Sequence, residues 1–149
     1  MNTIIERAEN EWLFKGFAIN AGFSASTGFV ALLTPAYIAD WPGWSRPEVP
    51  GPMASAVAAG VGTALVLFAA RLGYLAWKGR VTALEARGIV AADLAWVTCT
   101  AGVLILRPDV LTGAGQWLLG ALGLFVLSLA ELKGFALRRR ARDVTVGMA

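Results

Sequence analysis

The sequence predicts an all-α protein: a four-helix transmembrane bundle in up-down-up-down order with both termini cytoplasmic. Three observations predict it. Of the 149 residues, 57% are hydrophobic and 15% charged, an apolar share above and a charged share below those of ordinary soluble domains. The apolar residues gather into four stretches, about residues 12–38, 53–77, 89–106 and 113–137, each near the ~20 residues that cross ~30 Å of hydrocarbon as a helix. Ten Lys and Arg residues flank the N-terminal segment, the second connection and the C-terminal tail, against two, Arg46 and Arg107, on the opposite side. That bias places both ends inside the cell. A single integral domain, 1–149, accounts for the whole chain.

The first stretch follows Glu6, Glu9 and Glu11 instead of a basic start. It is also too long for a secretory signal, so it reads as a retained helix. Next comes DWPGWSRPEVPGP, where Pro42, Pro47, Pro50 and Pro52 oppose regular helix and Trp41 and Trp44 suit a headgroup interface. The second stretch ends in LFAARLGYLAW and carries Arg71. The following KGRVTALEARG is basic with good helix formers in its middle, so helix is expected to continue on either side of Gly79. RPDVLTG then forms a tight turn in which Thr112 or Asp109 caps the last helix. Its brevity makes the last two helices antiparallel neighbours. The closing LRRRARD reads as a juxtamembrane basic cluster set against anionic lipid.

The charges inside the apolar stretches are the leads to function. Residue 82 is the midpoint between Arg71 and Asp93 and falls within the second connection, so the two are expected at equal depth. Each should lie roughly 7–10 Å inward of the helix ends at Lys78 and Gly88. Arginine can snorkel from there but aspartate cannot, and a direct Arg71–Asp93 pair is the expected solution. Glu131 stands seven residues before Arg138, and Lys15 opens the first helix, so both join the same inner-leaflet layer. Tyr74 and Trp96 follow Arg71 and Asp93 at helical spacing, and Asn20 can lend an amide. The candidate layer is thus Lys15, Asn20, Arg71, Tyr74, Asp93, Trp96 and Glu131. Glu131 and Lys133 are two positions apart and cannot share a helix face, so Glu131 is expected to face the bundle and Lys133 the lipid headgroups. Two readings follow. The layer fixes helix depth and pairing, or it forms a pocket in which Arg71 holds an anionic headgroup or carboxylate and Asp93 orients it.

Several chemistries are absent. The chain has no histidine, which removes the usual haem ligand, the commonest zinc ligand and the usual acid/base side chain near neutral pH. The single Cys99 allows no intrachain disulfide and no cysteine cluster. The glycines between 113 and 123 lack the strand, lysine and spacing of a phosphate loop. Neither a catalytic residue nor a cofactor is expected. Nor is nucleic acid, because no folded basic face or aromatic platform accompanies the tail. Ser24 with Gly28, and Ala56 with Gly60 and Ala64, form small-residue faces for helix packing. Small multidrug antiporters resemble the chain in size and helix count, but where they carry a first-helix glutamate it has Asn20, Ser24, Ser26 and Thr27. The charged helix motifs of the four-helix glutathione and eicosanoid enzymes likewise have no counterpart in ERAENEW or VTALEARG.

The function expected is that of a non-enzymatic, accessory or scaffold-like multi-pass membrane protein. It would touch membrane lipids and pack as a homo-oligomer or within a larger membrane complex, in the inner membrane if the source is a bacterium. The alternative is a small permease, a lipid-modifying enzyme or a lipid- or small-molecule-binding membrane protein working through the inner-leaflet charged layer.

Overall fold

A computed structural model of the chain describes residues 4–8, 10–35 and 51–146, with side chains described for 4–8, 10–35 and 55–139. Residues 36–50, which include most of the proline- and tryptophan-rich connection, lie outside the described residues, as do the side chains of Arg140 and Arg142. The elements run β1 (Ile4–Glu6), α1 (Glu11–Leu33), α2 (Gly51–Lys78), β2 (Arg80–Thr82), α3 (Ala83–Leu106), a 3-10 turn (Pro108–Val110) and α4 (Gly113–Val146). Each of the four α-helices contains an apolar stretch of 23 to 27 residues, which at ~1.5 Å per residue exceeds the hydrocarbon thickness. The chain is a multi-pass helical membrane protein.

Local chemistry sets the boundaries. Asn10 caps α1, its side chain accepting from the Leu13 amide at 3.3 Å while its own amide donates to the Ala136 carbonyl of α4 at 3.0 Å. α1 stops at Leu33, short of the expected residue 38, because Pro35 disfavours helical backbone at Thr34, which sits at φ −129°, ψ 45°. Pro108 likewise ends α3 at Leu106. Pro52 does not exclude helix as expected, for α2 starts at Gly51 and holds it in the first turn, where the missing N–H would be unpaired anyway. Thr112 begins α4, accepting from the Gly115 amide at 3.3 Å.

The second connection departs most from the all-helical expectation. Gly79 adopts φ +68°, a left-handed backbone that ends α2 and that glycine takes without steric cost. Val81 and Thr82, both β-branched, then pair antiparallel with the N-terminal strand in the register Ile4↔Thr82, Ile5↔Val81, Glu6↔Arg80. The Arg7 amide extends the ladder by donating to the Gly79 carbonyl at 2.8 Å. Ile5 and Val81 point inward while Glu6 and Arg80 form a cross-strand ion pair at 3.0 Å. Thr82 then caps α3 through the Glu85 amide at 3.2 Å.

This small sheet closes one end of the bundle. Ile5 and Val81 pack with Leu13, Phe14 and Phe17 of α1, Leu72 and Leu75 of α2, and Ala86 and Ile89 of α3. Along the bundle, α1 packs closely on α2, α3 on α4, and α1 on α4, while α2 and α3 hardly touch. The spatial order is therefore α2–α1–α4–α3, with a loose seam between α2 and α3. The α1/α2 contact is a close backbone crossing: a methyl group on Gly28 would lie 2.9 Å from the Gly62 carbonyl oxygen, and one on Gly62 would lie 2.8 Å from the Gly28 oxygen. Ser24 and Gly28 are buried as expected of a packing face, but α2 meets them with Gly62, and Gly60 faces open space.

Candidate functional site

Near the centre of the bundle three helices bring together a buried polar cluster. Asp93 of α3 accepts from Asn20 Nδ2 of α1 at 2.9 Å on Oδ1, and from Lys133 Nζ of α4 on Oδ2. Ser24, one turn along α1, donates to Asn20 Oδ1 at 3.4 Å. All four are buried, with Lys133 at 0% and Asp93 at 3% exposure. No buried side-chain nitrogen or oxygen among the described residues lacks a partner. Opposite charges in contact and an amide bridge are what makes such burial tolerable in a low-dielectric interior. The cluster is neutral overall.

The local structure explains the geometry. Because α3 begins at Ala83, well before the expected residue 89, Asp93 lies ten residues into it, roughly 15 Å from its start. Lys133 lies six residues before the end of its apolar stretch at Arg139, roughly 9 Å deep. Its long stem crosses Gly16 of α1, where an added methyl group would sit 3.0 Å from the Lys133 Cγ. On α4, Val126, Leu129, Ala130, Lys133 and Ala136 form one buried stripe, which is the face that meets α1 and α3.

The expected layer is therefore partly assembled and partly not. Asn20 and Asp93 meet, and Trp96 stands nearby at 38% exposure. Arg71 does not contact Asp93. It donates from Nε to Glu85 Oε1 at 2.8 Å and also from Nη2, an exposed pair that joins α2 to the first turn of α3. Tyr74 lies beside it with the Arg71 and Lys78 cations 5.6 and 5.5 Å from its ring centroid. The loose α2/α3 seam keeps Arg71 from Asp93, and the arginine side chain is long enough to reach the surface carboxylate. Lys15 pairs with Glu11 at 2.9 Å on the exposed side of α1 and lies 5.0 Å from the Trp12 ring centroid. Glu131 is exposed in an outer groove between α3 and α4 that also contains Arg138. The expected roles of Glu131 and Lys133 are thus reversed. Lys133 is the residue the sequence reading missed, and its signal was the Val126–Ala130–Lys133–Ala136 spacing.

Beside the cluster is a cavity of about 370 Å³. Asn20, Ser24 and Asp93 form its polar floor, while Phe23, Leu65, Phe68 and Val126 supply apolar walls. Val61, Ala64, Ala92 and Trp96 line it but are exposed, so the rim opens at the α2/α3 seam. Lys133 is hidden behind Asp93 and does not line it. Among the described residues no group of three or more His, Cys, Asp or Glu could hold a metal ion.

No protein-family model, curated protein or solved structure matches the chain.

Proposed function

We propose that this chain is a non-enzymatic, scaffold-like membrane subunit that packs with itself or a partner, spanning the bilayer up-down-up-down with both termini cytoplasmic. In a bacterium it resides in the inner membrane. The observation that carries this reading is the self-neutralised Asp93–Lys133–Asn20 cluster. Its charges cancel inside the bundle and tie α1, α3 and α4 together, which is what a structural pin requires. Among the described residues the other ion pairs, Arg71–Glu85, Lys15–Glu11, Arg80–Glu6 and Arg107–Asp109, are exposed, where they set helix depth and orientation. The basic side of the chain sets the direction of insertion.

Native mass spectrometry of the protein in lipid nanodiscs tests the reading. A scaffold gives a defined assembly heavier than one 15.7 kDa chain. It keeps that assembly in an Asp93→Leu, Lys133→Met double variant, which removes both charges. A monomer under every gentle extraction condition sinks the proposal.

A further inference from the structure

The cavity beside the polar cluster carries a ligand assignment that holds whether or not the chain assembles. We propose that it binds a neutral, largely apolar molecule bearing a hydroxyl group, which enters from the bilayer through the α2/α3 seam and sets the hydroxyl against Asn20, Ser24 and Asp93.

Size, polarity and charge each narrow the occupant. About 370 Å³ falls at the small end of ligand pockets, roughly 300–1,000 Å³, and suits a single chain or a small ring system but not a two-chain phospholipid. The walls run from Asn20 to Thr27 on α1 and from Phe68 to Val61 on α2. Each spans seven residues, roughly 10 Å along the helix axis. The polar groups sit mainly at the Asn20 end, so an elongated guest is oriented with its polar terminus there. Thr27, farther along, has already satisfied its hydroxyl hydrogen by donating to the Phe23 carbonyl at 3.0 Å.

The hydrogen-bond inventory selects the headgroup. Each Asp93 oxygen accepts one side-chain hydrogen bond and has a second lone-pair direction, and Ser24 Oγ donates to Asn20 and can still accept. The Asn20 amide carries two hydrogens, one of which goes to Asp93. At a small polar opening in an otherwise apolar cavity, Asp93 and Ser24 thus have acceptor capacity left and Asn20 one N–H. A hydroxyl, which donates and accepts, complements both. An ether or ketone lacks the donor.

Charge excludes the other classes. Asp93 is already neutralised by Lys133, which lies behind it and presents nothing to the cavity. A carboxylate or phosphate would meet acceptors without a cation, and an ammonium would leave a net positive charge in a low-dielectric site. The exposed rim residues Val61, Ala64, Ala92 and Trp96 give lateral entry from lipid, where such a molecule would be dissolved.

Photolabelling of the protein in nanodiscs with a long-chain alcohol bearing a chain diazirine tests this, with labelled peptides mapped by mass spectrometry. Labelling is expected on the peptides carrying Phe23, Val61 and Trp96. The unlabelled alcohol should compete, and the methyl ether and the fatty acid of equal length should compete about tenfold less well, the worth of one buried hydrogen bond. Ala64→Phe, which fills the rim without touching the cluster, should abolish labelling, and Val61→Trp serves if that variant does not fold. Equal competition by the acid overturns the headgroup assignment. Undiminished labelling in a folded rim variant, or labelling no stronger than at the outer lipid-facing residue Leu124, overturns the site.

Discussion

Lys133 of α4 reaches across Gly16 of α1 to bond the Asp93 carboxylate of α3, so a single side chain fastens three helices at the bundle centre. Two buried charges that depend on each other make a coupled unit. Lys133→Met or Asp93→Asn alone strands a charge in the interior and should cost about 2 kcal/mol, between the modest couplings of polar pairs in membranes and the larger losses on breaking buried ion pairs. The Lys133→Met, Asp93→Asn double variant should be more stable than the sum of the two single losses predicts. Thermal unfolding in detergent, read as a double-mutant cycle, checks this, and simple additivity would show that the pair contributes nothing as a pair.

The exposed Arg71–Glu85 pair should behave differently. Arg71→Gln or Glu85→Gln removes a surface ion pair joining α2 to α3, which is worth about 0–1 kcal/mol. The same unfolding assay should show little change for either variant. A loss as large as that of Lys133→Met would mean Arg71 belongs to the buried network.

At the α1/α2 crossing, Gly28 and Gly62 face one another with no room for a side-chain carbon. Gly28→Ala or Gly62→Ala should force the helices apart and destabilise by about 1–3 kcal/mol. Gly60→Ala, on the same helix but facing open space, should be neutral or slightly stabilising. A melting-temperature series across these variants decides whether this crossing is the tight one.

Topology is checked by cysteine accessibility after Cys99, which is exposed on α3, is changed to Ser. A cysteine at Ser45, in the connection between α1 and α2, should label from outside intact cells. One at Arg80 should label only after permeabilisation. The reverse pattern refutes the cytoplasmic placement of the termini.

The sequence alone determined the membrane-spanning helices and much of their punctuation. Spanning length and apolar composition are properties of the chain read one segment at a time, and the Thr112 cap acts within a few residues of its own position. Equally local chemistry, the proline after Thr34 and the left-handed Gly79 followed by β-branched Val81 and Thr82, accounts for the early stop of α1 and the start of β2.

Which charges meet was decided only by the tertiary structure. Equal depth would bring Arg71 to Asp93 only if helices adjacent in sequence were adjacent in space, but α1 packs between α2 and α4, leaving the α2/α3 seam loose. The β1–β2 sheet and the early start of α3 also moved Asp93 deeper and brought Glu85 within reach of Arg71. Likewise, the sequence showed that Glu131 and Lys133 must face opposite ways without showing which faced inward. The choice rests on partners from distant parts of the chain. Asp93 and Asn20 supply a carboxylate and an amide, and Gly16 leaves room for a lysine stem, so the long cation is buried and the shorter acid is left outside.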